Sequence, residues 1–94
     1  MVVYLSGKIT GLDIEIAKQS FQDAETKLIE LGYEVINPLK LPNDHDKTWE
    51  SYMRVCITYL TKCDAIYMLD GWENSKGANL EYYLAYELKI KVLN

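Results

Sequence analysis

Residues 65–85 read AIYMLDGWENSKGANLEYYLA. An apolar run, Ala65–Leu69, stops at a polar, glycine-bearing turn, and apolar residues then return at helical spacing. The stretch therefore predicts a buried strand, a loop and a helix that starts at Ser75. One acid stands out in it. Glu81 is flanked by Leu80 on one side and by Tyr82, Tyr83 and Leu84 on the other. Acidic side chains are favoured in the first helical turn, and with Ser75 as N-cap Glu81 falls in the second, where that preference has faded.

Outward from this unit the same grammar repeats. Val2–Leu5 is an apolar strand ended by SGKITG at residues 6–11. From Ile14 to Leu31 a stripe of Ala17, Phe21, Ala24, Leu28 and Leu31 marks a helix, with Gly32 as its stop. YEVINP (33–38) reads as a second strand ended by Pro38, and LKLPNDHDKT (39–48) as the longest polar loop. Thr48 opens a helix with the stripe Trp49, Met53, Cys56, Leu60 and Cys63, widened by Tyr52 and Tyr59. IKVLN (90–94) is a fourth strand. Strands apolar on both faces, alternating with helices, predict an α/β fold with a parallel sheet between helices. Right-handed crossovers with short loops favour strand order 2-1-3-4, a three-layer, Rossmann-like (flavodoxin-like) domain over 1–94 with helices on both faces. In such sheets ligands bind beyond the carboxyl ends of the strands, where the order reverses. The loops flanking that point are Ser6–Gly11 and Asp70–Gly77, the two glycine-bearing loops.

The chain has 94 residues, 49% of them apolar and 26% charged, and a net charge of −4. A domain of this length buries only about 60–65% of its unfolded surface, so dimerisation through some of its tyrosines is expected. No apolar run approaches the roughly 18 residues of a membrane span, and MVVYLSG reads as a strand, not a signal peptide; the expected location is cytoplasmic. The negative charge speaks against polymeric nucleic acid as partner but leaves a small nucleotide open. Cys56 and Cys63 are seven apart on one helical pattern, roughly 10 Å along the axis, too far for a mutual disulfide. Asp44, His45 and Asp46 are read as solvated turn residues and not as a metal site.

Several residues carry candidate chemistry. Ser75 followed by Gly77 is either a simple N-cap with a tightly packed glycine or an anion site at a helix N-terminus, with Lys76 adding charge. SGKITG lacks the dinucleotide and P-loop spacings, so no cofactor is expected, while Gly7 and Gly11 allow close backbone approach to a ligand. Ala85 and Leu88 share the helical face of Glu81, which places this carboxylate against the sheet below an anion at the helix start. Burial raises its pKa and hydrogen bonds lower it again, and Tyr4 could supply one. A carboxylate aimed at a sugar carbon suits nucleophilic displacement at an anomeric centre. Trp72 either stacks on a base or plugs the sheet edge.

YLSGKITG at the start and CDAIYMLDGWENSKGANLEYYLA near the end, with the helix between them, resemble the nucleoside 2-deoxyribosyltransferase superfamily. The likeness is nearest to small phage and prophage domains with a GWE-S-GA-LE signature, and extends more distantly to 2′-deoxynucleoside 5′-phosphate N-hydrolases. The resemblance implies that Glu81 is the nucleophile at C1′ of deoxyribose and that Tyr4 orients it. It implies 5′-phosphate contacts at Ser75 and Gly77, and a sugar- and phosphate-side loop formed by Lys8, Ile9, Thr10 and Gly11. Two departures accompany it. Cys56 stands where the resemblance implies an assisting aspartate, leaving Asp70 or Glu73 as substitute acid. The sequence ends at Asn94, where the family has a longer segment reaching the neighbouring subunit's site, so an open pocket, or one covered by a dimer partner, is expected. The expected function is N-glycosidic bond cleavage or deoxyribosyl transfer on a 2′-deoxynucleoside or its 5′-monophosphate. The alternatives are a non-catalytic nucleotide-binding module and a dimeric accessory protein.

Overall fold

A computed structural model describes residues 1–42 and 48–94. The first strand, β1 (Val2–Ser6), leads into helix α1 (Ile14–Glu30), followed by strand β2 (Glu34–Ile36) and a 3-10 turn at Pro38–Lys40. Helix α2 (Trp49–Leu60) and strand β3 (Ala65–Met68) come next, then a second 3-10 turn at Trp72–Asn74, helix α3 (Lys76–Glu87) and strand β4 (Lys91–Val92). The four strands form one parallel sheet in the order β2-β1-β3-β4. The order reverses between β1 and β3, where Tyr4 lies beside Ile66 and Ser6 beside Met68.

Alternation along β1 divides the core in two. Val3 and Leu5 face α1 and pack with Phe21, Ala24 and Leu28; Tyr4 faces the other way, among Cys56, Leu60, Ile66, Ala78 and Ala85. One helix therefore covers one face and two helices the other, which is why the central strands are apolar on both sides. It is also why Tyr4 and Ser6, two residues apart, point toward α3.

Helix ends follow local chemistry. Asp13 caps α1 by accepting from the Glu15 backbone N–H at 2.9 Å, Thr48 caps α2 through Ser51 at 3.1 Å, and Ser75 caps α3 through Ala78 at 3.1 Å. Helix α1 ends one residue before the last position of its predicted stripe, and the buried part of that stripe ends at Leu28. Leu31 is 66% exposed as the cap residue, and Gly32 takes φ +95° so that the chain can turn into β2. The strand predicted over 33–38 shortens to three residues because Asn37 turns the chain. Its side chain accepts from the Leu39 N–H at 3.0 Å and donates to Glu25 at 3.1 Å, while Lys40 pairs with Glu25 at 2.8 Å. This bracket holds Pro38 under the carboxyl end of the sheet. The expected Asp44–Asp46 turn lies outside the described residues. Among the described residues no helix is long and apolar enough to cross a membrane.

The fourth strand is shorter than IKVLN suggests, yet its last side chain continues the ladder. The Asn94 amide donates to the Met68 carbonyl at 2.6 Å and its oxygen accepts from the Met68 N–H at 2.9 Å, imitating a backbone pair. Removing it in Asn94→Ala leaves both Met68 groups short of a partner and is expected to destabilise the domain by about 1–2 kcal/mol. Urea unfolding checks the loss, and faster hydrogen exchange at the Met68 amide locates it.

Candidate functional site

Two elements meet over one carboxylate. On α3, Ala78, Glu81 and Ala85 form the buried face. Leu88, expected on that face, is exposed because it lies past the helix end as the cap residue. Glu81 is only 5% exposed. Its Oε2 accepts a hydrogen bond from the Tyr4 hydroxyl at 2.6 Å and its Oε1 one from the Ser6 hydroxyl at 2.7 Å. Burial pushes the Glu81 carboxyl up to about 7, with the two hydroxyls pulling it back toward the ordinary range. Tyr4 is held far above the usual phenol range, by burial first and then by the charge of Glu81, so it stays a donor. The Cys56 thiol lies beside the Tyr4 and Tyr52 hydroxyls; burial raises its pKa, the two hydroxyls pull it part of the way back, and the charge of Glu81 adds a smaller upward push.

Above this carboxylate opens a cavity of about 770 Å³ at the point where the strand order reverses. Gly7, Lys8, Ile9 and Thr10 from the loop after β1 line one side, with Phe21 and Pro38 below. The first turns of α2 contribute Thr48, Trp49, Tyr52 and Met53, and residues 74–78 bring the start of α3 to the rim. The first intrahelical bond of α3 runs from the Asn79 N–H to the Ser75 carbonyl at 3.0 Å, so the backbone N–H groups of Lys76 and Gly77 precede the helical ladder. Glu81 sits five residues along the axis from Lys76, roughly 7–8 Å deeper. That is about the reach of a sugar carrying a phosphate. Gly77 is also a close-packing position: a Cβ there would lie 3.1 Å from the Met53 sulfur.

Of the residues singled out in the sequence, Tyr4, Gly7, Lys8, Ile9, Thr10, Ser75, Gly77 and Glu81 line this one cavity. Asp70, Gly11 and Trp72 do not. Asp70 is exposed beyond β3, just before the turn at Gly71, whose φ is +83°. Gly11, at φ +87°, is exposed where the loop turns toward α1. Trp72 stacks on Tyr82, rings 4.8 Å apart and 25° from parallel, against the core on the α2 and α3 side. Glu73 is exposed and outside the lining as well. Two residues escaped the sequence reading. Ser6 was legible in principle, because strand alternation puts it on the same face as Tyr4. Trp49 falls on the apolar stripe of α2, but at the first position of that helix it lies in the cavity wall and not in the core. There the Lys76 Nζ lies 3.9 Å from its ring centroid.

The family model described as "Domain of unknown function (DUF4406)" matches residues 1–94. A solved 2-deoxyribosyltransferase from the psychrotolerant bacterium Bacillus psychrosaccharolyticus superimposes with a TM-score of 0.73 at 21% identity, covering 98% of this chain and 69% of that one. At that identity the likeness concerns the fold. No curated protein matches.

The raised carboxyl makes stability depend on pH. Between the ordinary value of 4.5 and about 7, the folded state holds a proton at Glu81 that the unfolded state has lost. Its contribution is fully present below the unfolded value and lost as pH rises through the folded one, on the order of 3 kcal/mol in all. Glu81→Gln is expected to remove that slope and to stabilise the protein at about pH 8 relative to the parent. Urea midpoints at about pH 5 and about pH 8 for both proteins check it.

Proposed function

Because the chain belongs to the DUF4406 family, whose description assigns no activity, we propose from the chemistry of its cavity that it breaks or exchanges the N-glycosidic bond of a 2′-deoxynucleoside or its 5′-monophosphate. The observation that carries this reading is a buried carboxylate, held through both oxygens by Tyr4 and Ser6, beneath a helix start suited to an anion. The fold shared with a 2-deoxyribosyltransferase supports it.

In this reading Glu81, ionised, attacks C1′ of the sugar. A C1′–O ester bond forms as the C1′–N bond breaks, and the bonding pair departs on the base nitrogen, which takes up a proton. Tyr4 and Ser6 hold the carboxylate in position against the sheet. Water, or the nitrogen of a second base, then attacks C1′, loses a proton and returns the carboxylate to Glu81. A 2′-deoxy sugar suits such a site because the positive charge developing at C1′ is not opposed by a neighbouring hydroxyl. Ser75 and the first N–H groups of α3 receive the 5′-phosphate when one is present, and Lys8 to Thr10 flank the sugar. Asp70 and Glu73 have no part in this scheme, being outside the cavity lining, so the leaving base draws its proton from solvent or a lining residue.

A second reading, a module that binds a nucleotide without turning it over, is favoured by Cys56. Where an assisting acid is expected there is a buried thiol with a raised pKa, a poor proton donor to a leaving base. Incubation with the common deoxynucleosides and their 5′-monophosphates, followed by chromatography, distinguishes the two. Free base or an exchanged nucleoside is expected, with activity rising as pH passes about 7 and Glu81 ionises. Glu81→Ala is expected to abolish turnover, and Tyr4→Phe to slow it about a hundredfold, the order of losing one oriented hydrogen bond. Turnover unchanged in Glu81→Ala refutes the glycosyl scheme; calorimetric binding with no turnover establishes the module.

A further inference from the structure

Lys76 and Trp49 come from different helices and meet at the rim of the cavity, both in its lining. Lys76 is exposed and Trp49 half-buried. The ammonium lies 3.9 Å from the indole centroid, well inside the range of a cation–π contact. Among the described residues Lys76 has no carboxylate partner; the ion pairs there are Lys18 with Glu15 and Lys40 with Glu25. Of the two ammonium groups in the lining, Lys8 and Lys76, that of Lys76 is therefore parked on an aromatic ring. That position is also the one a stacked planar ring would need, since stacking separations are close to the same distance. The indole face cannot hold the ammonium and a base together.

We propose that Trp49 and Lys76 are a coupled specificity pair: the indole receives the aromatic ring of the ligand only after an anionic group on the same ligand has drawn the ammonium away. This rests on the nucleotide reading above and deepens it by naming residues that separate phosphorylated from uncharged ligands. A phosphate exchanges the cation–π contact for a charge-assisted pair and so uncovers the ring at little net loss. An uncharged nucleoside must displace the ammonium with nothing to offer it. The start of α3 favours the same sorting, because Lys76 is its first residue and its backbone N–H groups lie beside the cavity.

The test uses the Trp72→Phe protein, in which Trp49 is the remaining tryptophan of two, with fluorescence excited at the red edge to avoid the tyrosines. Inorganic phosphate alone is expected to change Trp49 emission, and Lys76→Met to abolish that change. Deoxynucleoside monophosphates are expected to quench Trp49 at concentrations about tenfold lower than the matching nucleosides, and Lys76→Met to bring the two to near equality. Calorimetry on Lys76→Met with both tryptophans in place repeats the comparison without relying on the Trp72 substitution. An unchanged ratio in Lys76→Met overturns the pair, as does nucleotide binding that leaves Trp49 emission untouched. Both results leave Glu81-dependent turnover standing. A phosphate response that needs Lys76 in a protein that neither cleaves nor exchanges nucleosides would instead keep the pair and reject the glycosyl scheme.

Discussion

The Glu81 carboxylate sits between two hydroxyls of β1, and the rest of the structure depends on that contact. Burying an acid is unfavourable unless its oxygens are satisfied, and here Tyr4 and Ser6 each satisfy one. The pairing joins residues 75 and 77 positions apart in sequence and ties α3 to β1. It also holds the start of α3 over the point where strand order reverses. A hydrophobic residue at 81 would pack the same interface with less strain on the electrostatics. The acid at this position instead has its carboxyl pushed up to about 7 by burial, the property that the proposed glycosyl chemistry draws on.

Around this contact the remaining elements act as a frame. The backbone bond from the Leu69 N–H to the Ser6 carbonyl, at 2.8 Å, fixes the end of β1 against the end of β3 and so aims Ser6. Pro38 is held beneath the cavity by the Asn37, Glu25 and Lys40 bracket. Gly77 lets the start of α3 come within contact of Met53 on α2. The helix of one element thus becomes the wall of a site whose floor belongs to another. Small domains have few ways to do this, because a single core must serve both stability and chemistry.

The outer surface tells a different story. Tyr83 and Tyr86 on α3, Ile14, Ile16 and Ile29 on α1 and its cap residue Leu31 are exposed, while Tyr82 is half-buried against Trp72. The tyrosines that circle α3 in sequence therefore divide by helical face: one closes the core beside the 3-10 turn, and two face outward.

The amino-acid sequence alone determined the layer order, the strand order and the depth of Glu81, because each follows from periodicity. Apolar runs of four or five residues set strands, stripes at three and four set helices, and crossover handedness leaves few topologies. Capping chemistry was equally local, so Thr48 and Ser75 sit where helices begin. What the tertiary structure decided was which side chains share a space. Ser6 joined the site through the register of β1 with β3, and Trp49, at the first position of α2, lines the cavity and not the core. Trp72, Asp70 and Gly11 stay out of the site: Trp72 stacks on Tyr82 against the core, and Asp70 and Gly11 are exposed outside the cavity lining. Periodicity reports the face on which a residue lies but not how far along the element its neighbours extend, and a site is built from the second quantity.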